Sequence, residues 1–388
     1  MIRNPLKILL INYEYPPIGA GAANAAWHMA RELKALGCDV HVMTSGYRGL
    51  AGLKIEDGIK VHRLPALRRH QEKSNILEMC SFVLSSAVRL PWILKSRSVD
   101  ASIVFFSIPC GPLGLMGRLL CNIPYVVSLR GGDVPGNEPS LVAMHRSLAP
   151  LRHLVLKKAL CVVANSEGLR TLSERSDPFP VRVIPNGVDT GFFSSVPRTV
   201  NMTRFLFVGR FQPQKNIFFL LDQMGYLARR ADVTFELHMA GDGPQRPELL
   251  AHARTLGIQD MITWHGWCGR DRLRELYQSC DCLVNPSLYE GMANVMLEAM
   301  ACGMTVIASD VIGNRDLVEH GRTGWLFDLK KPEALQELLK HTLLNSDEAR
   351  RIGEDAHVTV MNRYSWKNVA LQYLEILNGA AAAKGNTP

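Results

Sequence analysis

No two of the nine cysteines, at 38, 80, 110, 121, 161, 268, 280, 282 and 302, are spaced C-x-x-C. Thiols scattered in this way, several inside apolar runs, suit buried cysteines in a reducing compartment rather than a disulfide framework. Cys280 and Cys282 share a face at a strand entry, but too few ligands lie nearby to make a metal site there expected. A long unbroken apolar run is also missing. The most apolar long window, Ser102 to Cys121, is interrupted by Pro109, Pro112 and Arg118, which excludes a membrane span there. The opening MIRNPLKILLINYEYPP has too short an apolar run, followed by Glu14, for a secretory signal. It reads as a first strand, and the expected location is cytoplasmic. A dinucleotide fingerprint lacks its third glycine, since Gly19 and Gly21 are followed by Asn24, which argues against a dinucleotide-dependent oxidoreductase.

The 388 residues exceed one ordinary core and imply two domains. With 47% hydrophobic and 21% charged residues, the composition is that of a soluble globular protein. The net charge of +8 is one-sided: residues 1–190 carry 23 Lys+Arg against 14 Asp+Glu, and 191–388 carry 21 against 22. Lys60 to Arg97 alone holds eight basic and two acidic residues, mixed with Ile76-Leu77, Phe82-Val83-Leu84 and Leu90-Pro91-Trp92-Ile93-Leu94. That segment is either a solvated helix pair on a domain edge or a peripheral contact with an anionic membrane. No nucleic-acid partner is expected.

Short apolar runs alternate with helical patterns: KILLIN, NAAWHMARELKALG, DVHVMT, then ASIVFF, PLGLMGRLLC, PYVVSL, then CVVANS and a helix from Glu167. The alternation predicts βαβ units and a parallel sheet. In VRVIPNGVD the Asn186-Gly187 pair predicts a tight turn. The pattern restarts after an aperiodic stretch, with RFLFVGR, TFELHMAG, MITWHG, DCLVNPS, TVIASD and GWLF as strands between helices. The expected organisation is an α/β protein of two Rossmann-like, doubly wound domains, residues 1–190 and 203–365, with a linker at 191–202. A helix over 366–378 and a disordered tail over 379–388 complete the chain. Paired sheets of this kind place their strand ends toward a shared cleft.

Candidate site residues cluster at the predicted strand ends. Gly209 and Arg210 follow a buried strand and Lys215 precedes the next helix, so the two cations are placed either to meet a phosphate or to form a surface salt-bridge pair. Gly241 and Gly243 in AGDGP permit close backbone approach or merely a sharp turn. His265 and Trp267 flank Gly266 and are either structural or part of a loop that reads a base. In YEGMANVMLEAM a helix begins near Asn294, so the amides of Met292, Ala293, Asn294 and Val295 suit an anion. Glu290 stands at the same spot, where a phosphate would repel it. It is better placed to accept hydrogen bonds from hydroxyls beside the phosphate. Glu298 reaches a second set of hydroxyls along the same face. Two carboxylates flanking a diphosphate, each bonding a diol, describe nucleotide-sugar recognition.

The E-x7-E from Glu290 to Glu298, the VGR with downstream Lys215, the AGDGP, the WHG and the IPNGVD together resemble the retaining glycosyltransferases of family 4, with the GT-B fold, of the bacterial polysaccharide and glycolipid type. The resemblance runs over nearly the whole chain. It implies that Arg210 and Lys215 grip the donor diphosphate, Glu290 holds the transferred sugar, Glu298 holds the ribose, and residues 292–295 complete the site. It further implies that Gly19 and Gly21 of PPIGAG approach the donor phosphate. Two departures stand out: Ala20 interrupts the glycines, and Arg130 in SLRGGD stands where many members have histidine. Arg130 is then a contact for a donor phosphate or an acidic acceptor, and Asp133 either orients the acceptor or is structural. No D-x-D occurs in the chain, so neither metal nor cofactor is expected. Implied partners are a nucleotide-sugar donor and a glycan or lipid-linked acceptor. A noncatalytic nucleotide-sugar sensor or partner subunit, and a nucleotide-sugar hydrolase, are the rival readings.

Overall fold

The structure, a computed structural model, describes residues 5–19, 21–71, 74–138, 141–196, 204–230 and 234–385. The chain forms two compact units, the first of residues 1–186 with 366–388, the second of residues 187–365.

The first unit is built on strands β1 (Lys7–Ile11), β2 (Asp39–Ser45), β3 (Gly52–Glu56), β4 (Ile59–Leu64), β5 (Ala101–Phe105), β6 (Tyr125–Ser128), β7 (Cys161–Ala164) and β8 (Val181–Val183). Their order is β3-β4-β2-β1-β5-β6-β7-β8, and every pairing is parallel except β3 with β4. Ile8 to Ile11 and Ala101 to Phe105 are buried throughout, as central parallel strands covered on both faces must be. One face carries the helix Gly21–Ala35 and the helix that starts at Trp366; the other carries Ile76–Ser96, Gly111–Cys121 and Ala149–Lys158. The antiparallel β3 was not foreseen. Leu53 and Ile55 alternate along it but face solvent, and the run is short, at the edge of the sheet. It is held by an Asp57-Gly58 turn with both φ positive (49° and 74°), the geometry of a two-residue hairpin.

The second unit comprises β9 (Arg204–Val208), β10 (Glu236–Ala240), β11 (Ile262–Gly266), β12 (Cys282–Asn285), β13 (Thr305–Ser309) and β14 (Trp325–Phe327), all parallel in the order β11-β10-β9-β12-β13-β14. The chain winds outward from β9 in one direction and then returns to add β12 on its other side. Between β9 and β12 the winding reverses, and the loops leaving their carboxyl ends border the crevice where such sheets bind ligands. In the first unit the same reversal lies between β1 and β5.

Three expectations on chain organisation need correction. Asn186-Gly187 forms no turn: the buried Asn186 side chain is taken by Arg130 (Nη1 to Oδ1, 2.6 Å), and the units divide at this peptide. Residues 187–196 belong to the second unit and are not linker in their first part: Phe193 is 3% exposed and meets the Tyr277 ring edge-on at 5.8 Å. Residues 197–203 of that stretch lie outside the described residues. The final helix runs Trp366–Gly385 and takes in most of the supposed tail, consistent with the high helix propensity of its alanines.

Candidate active site

In the second unit the loops after β9 and β12 meet. Gly209 and Arg210 leave β9, and a single 3-10 turn, Pro213–Lys215, follows. That turn is tied to the β12 loop by two hydrogen bonds, Leu288 N to Gln214 O at 2.8 Å and Gln214 Nε2 to Tyr289 O at 2.9 Å. They bring residues 75 apart in sequence together: Lys215 Nζ lies 2.5 Å from Glu290 Oε1. Glu290 is 7% exposed, and its same oxygen lies 2.8 Å from the Ser287 hydroxyl. A Cβ on Gly209 would stand 3.2 Å from Phe207 Cζ and 3.5 Å from Lys215 Cε, so the lysine stem lies along the strand end.

The helix after this loop runs Asn294–Ala301, with Ala293 at its N-cap, and no side chain caps it. Serine, threonine, aspartate or asparagine would ordinarily stand at that place to satisfy the first-turn amides. An alanine there suits an end whose partner is a ligand anion. Glu298 lies one turn inside this helix. Its Oε2 accepts a hydrogen bond from the Tyr277 hydroxyl at 2.9 Å. Desolvation raises the Glu298 pKa to about 7, against the lowering effects of the Tyr277 hydrogen bond and the Arg270 charge. Burial, and then the neighbouring Glu298 charge, push Tyr277 well above its ordinary range, so it remains a donor.

The glycine-rich turn after β10 braces this site. A Cβ on Gly241, at φ +141°, would stand 1.9 Å from Gly209 O, and one on Gly243 would stand 2.4 Å from Phe211 O. What approaches these glycines is therefore the backbone that carries Arg210, and Phe211 N bonds Asp242 O at 2.9 Å. Gly241→Ala is expected to cost on the order of 3 kcal/mol. A loss under about 0.5 kcal/mol in urea denaturation, the range of an ordinary surface substitution, would refute the bracing.

Several supporting residues carry no motif in the sequence. Ser287 Oγ lies 2.8 Å from both Asn285 Oδ1 and Glu290 Oε1, and its single proton serves one of them at a time. Ser309 Oγ donates to Ser287 O at 2.6 Å, and Asn314 Nδ2 donates to Ser309 O at 3.0 Å. A Cβ on Gly313 would meet Gly291 O at 2.4 Å. Buried polar groups from β12, β13 and the following loop thus hold the Glu290 turn from beneath. His265 is turned toward a neighbouring strand, with Nε2 3.0 Å from His238 Nδ1, a contact that fits the structural reading of this residue.

The other sequence-selected residues belong to the first unit. Gly19 has φ +93°, and a Cβ there would meet Glu14 Cβ at 2.6 Å, so its small size is used in packing. Gly21 opens the helix Gly21–Ala35, while Ala20 lies outside the described residues. Asp133 is 3% exposed and accepts the amides of Ser107 (2.6 Å), Arg130 (2.9 Å) and Gly131 (3.2 Å). Of its two readings, the structural one fits: both carboxylate oxygens clamp the loops after β5 and β6. Burial raises its pKa, and the backbone donors work against that rise. Arg130 lies over the Phe105 ring at 4.1 Å with Nη1 on Asn186, and burial lowers its pKa.

The chain matches the family model of group 1 glycosyl transferases over residues 193–358 and that of the glycosyl transferase 4-like domain over residues 20–187. It is 26% identical to alpha-maltose-1-phosphate synthase of Mycolicibacterium smegmatis, across 97% of this chain and 100% of that protein. Among solved structures it resembles sucrose-phosphate synthase from Thermosynechococcus elongatus, with a TM-score of 0.85, 21% identity and coverage of 97% of this chain and 100% of the other. It also resembles Anabaena HepE, solved with UDP-glucose, with a TM-score of 0.76, 19% identity and coverage of 96% and 100%. Two doubly wound units, these structural neighbours and two family models that between them reach both units agree: the chain belongs to the family 4, group 1 glycosyltransferases of GT-B fold.

Proposed function

We propose that the protein transfers a hexosyl or N-acetylhexosaminyl group from a nucleoside-diphosphate sugar to an acceptor hydroxyl with retention of anomeric configuration. The observation that carries this reading is the contact of Lys215 with Glu290 beside the helix end at Asn294, with Glu298 one turn further on. Cations and first-turn amides suit a diphosphate; the two carboxylates suit the hydroxyls on either side of it. In this reading Lys215 turns from Glu290 to the phosphate when donor binds, and Glu290 exchanges the ammonium for a sugar hydroxyl. Arg210 and Lys215 then stabilise the charge that develops on the leaving diphosphate. No carboxylate is assigned as nucleophile. The acceptor attacks on the face the leaving group departs from, and a phosphate oxygen takes its proton. The protein supplies position and electrostatics.

The reading extends to metal independence, since fixed cations and a helix end serve the diphosphate. Transfer is expected to proceed unchanged in EDTA. It extends also to a glycan or lipid-linked acceptor in surface polysaccharide or glycolipid synthesis on the cytoplasmic side of an anionic membrane. Nine free cysteines suit that reducing compartment.

The test is a thermal-shift panel of UDP, GDP, ADP and their common sugars. A nucleotide at 100 times its dissociation constant adds about 2.7 kcal/mol. One nucleotide is expected to shift the wild type, followed by transfer from its sugar; no shift from any of them would remove the donor site.

A further inference from the structure

In the early part of the first unit's basic segment three cations are paired internally, while Arg69 is exposed. Lys60 pairs with Asp39 at 2.9 Å, Arg63 with Glu56 at 3.1 Å and Arg68 with Glu14 at 3.2 Å, and Arg63 and Arg68 are buried. These three cations are engaged within the unit, which leaves the later part of residues 60–97 as the stronger candidate for such a contact. The helix Ile76–Ser96 differs. Phe82, Leu90, Ile93 and Leu94 face the core, while Leu77, Leu84, Val88 and Trp92 stand exposed, Val88 at 79%. Its sole acidic residue, Glu78, is buried, and its carboxylate is engaged by the amides of Asn75 and Arg69. The outward side of this helix therefore offers Arg89 and Lys95, with the half-buried Arg97 just past its end, and no carboxylate. Arg97 lies 5.7 Å from the Trp92 ring, an arrangement that suits a lipid–water boundary.

The face continues onto two neighbours. Gly111–Cys121 packs against both Ile76–Ser96 and Ala149–Lys158. It exposes Leu119 and Leu120 beside Arg118, and Ala149–Lys158 exposes Leu151 and Leu154 beside Lys157 and Lys158. Between residues 79 and 160 the acidic residues are Asp100, the buried Asp133 and Glu138, against nine Lys and Arg. Exposed large apolar side chains that share helices with unpaired-sign cations call for a partner that is apolar inside and anionic at its edge. Ile76–Ser96 is long and apolar enough to cross a membrane, yet it packs along its length on the core and carries Arg89 outward, so it lies on a surface instead.

We propose that the outer face of these three helices docks on an anionic lipid bilayer, with Leu84, Val88 and Trp92 entering the interface and Arg89, Lys95, Arg118 and Lys157 meeting headgroups. This rests on the glycosyltransferase reading only in that a lipid-linked acceptor would be presented at such a surface.

The experiment is cosedimentation of the full chain with vesicles of phosphatidylcholine, alone or mixed with phosphatidylglycerol, at low salt. Binding to the mixed vesicles and little to the neutral ones is expected, with Val88→Asp and Leu84→Asp abolishing it. Arg89→Gln and Lys95→Gln should each weaken it about fivefold. Nucleotide thermal shifts should persist in all four variants; their loss in wild type would indict the donor site and not this face. Absence of binding to anionic vesicles, or equal binding by Val88→Asp, overturns the proposal. So does a wild-type dimer that Val88→Asp dissociates without any vesicle binding, which assigns the face to a second copy.

Discussion

Lys215→Ala should lower kcat by about 10²- to 10³-fold, the effect of removing one preorganised donor to a charge that grows in the transition state. The same substitution leaves Glu290 buried without its cation. Removing one partner of a buried pair typically costs about 3–5 kcal/mol, and some access of water to this pair places the expected loss at the lower end. The two consequences separate in a double variant. Lys215→Ala with Glu290→Gln should recover most of the stability, because the stranded charge is gone, and none of the rate. Denaturant unfolding and single-turnover transfer measure the two. A Lys215→Ala enzyme that transfers sugar at the wild-type rate would remove this lysine from the chemistry.

Glu298→Gln should gain stability while it loses donor. The carboxyl has a pKa of about 7 when folded, against 4.5 unperturbed, because its position strips water from the charge. A folded pKa above the unfolded one means a contribution fully present below about 4.5 and lost as pH rises through about 7. Above that range the native state holds a carboxylate it would rather protonate. Glutamine escapes this and can still accept from Tyr277. At about 1.4 kcal/mol per unit, discounted for partial exposure, the gain at pH 8 should be about 1–3 kcal/mol and should vanish near pH 4. In the same variant the nucleotide-induced shift in Tm should disappear, since an amide is a poorer acceptor for a ribose diol. Equal melting of variant and wild type at both pH values would show that Glu298 is not desolvated as described. A retained nucleotide shift would displace it from the donor site.

Much of this arrangement was legible because parallel strands buried on both faces are apolar runs, and the residues just beyond them are the ones that can meet a ligand. Arg210 and Lys215 were selected that way, Glu290 from the loop after β12, and Glu298 from its place four residues into the helix that follows. Ser287, Ser309 and Asn314 were not, because they come from different strands and meet only once β12 and β13 are side by side. Tyr277 carries no motif in the sequence and lies within the helix Arg270–Ser279. Its hydroxyl matters because of what a helix elsewhere brings to it. Gly241 and Gly243 were recognised as points of close approach, but the partner proved to be the chain's own backbone at Gly209 and Phe211. The unit boundary was misplaced for a related reason. Phe192-Phe193 lacks periodicity, and an aperiodic pair that tucks under an aromatic reads like linker until the aromatic is seen.

The helix that starts at Trp366 completes the first unit. Trp366 stacks on His28 at 5.2 Å, Tyr373 shares a 2.7 Å hydrogen bond with Ser128, and Val369, Ala370 and Leu377 are buried. The first unit is therefore discontinuous in the chain, and the second, uninterrupted from 187 to 365, is inserted within it. During synthesis from the amino terminus, the inserted unit has all its residues before the enclosing one does. The ribosome thus makes the half that starts first wait to finish last, with the surface of Gly21–Ala35 uncovered meanwhile. A fragment ending at Asn186 would inherit that bare surface permanently, whereas one spanning residues 187–365 would carry a whole core.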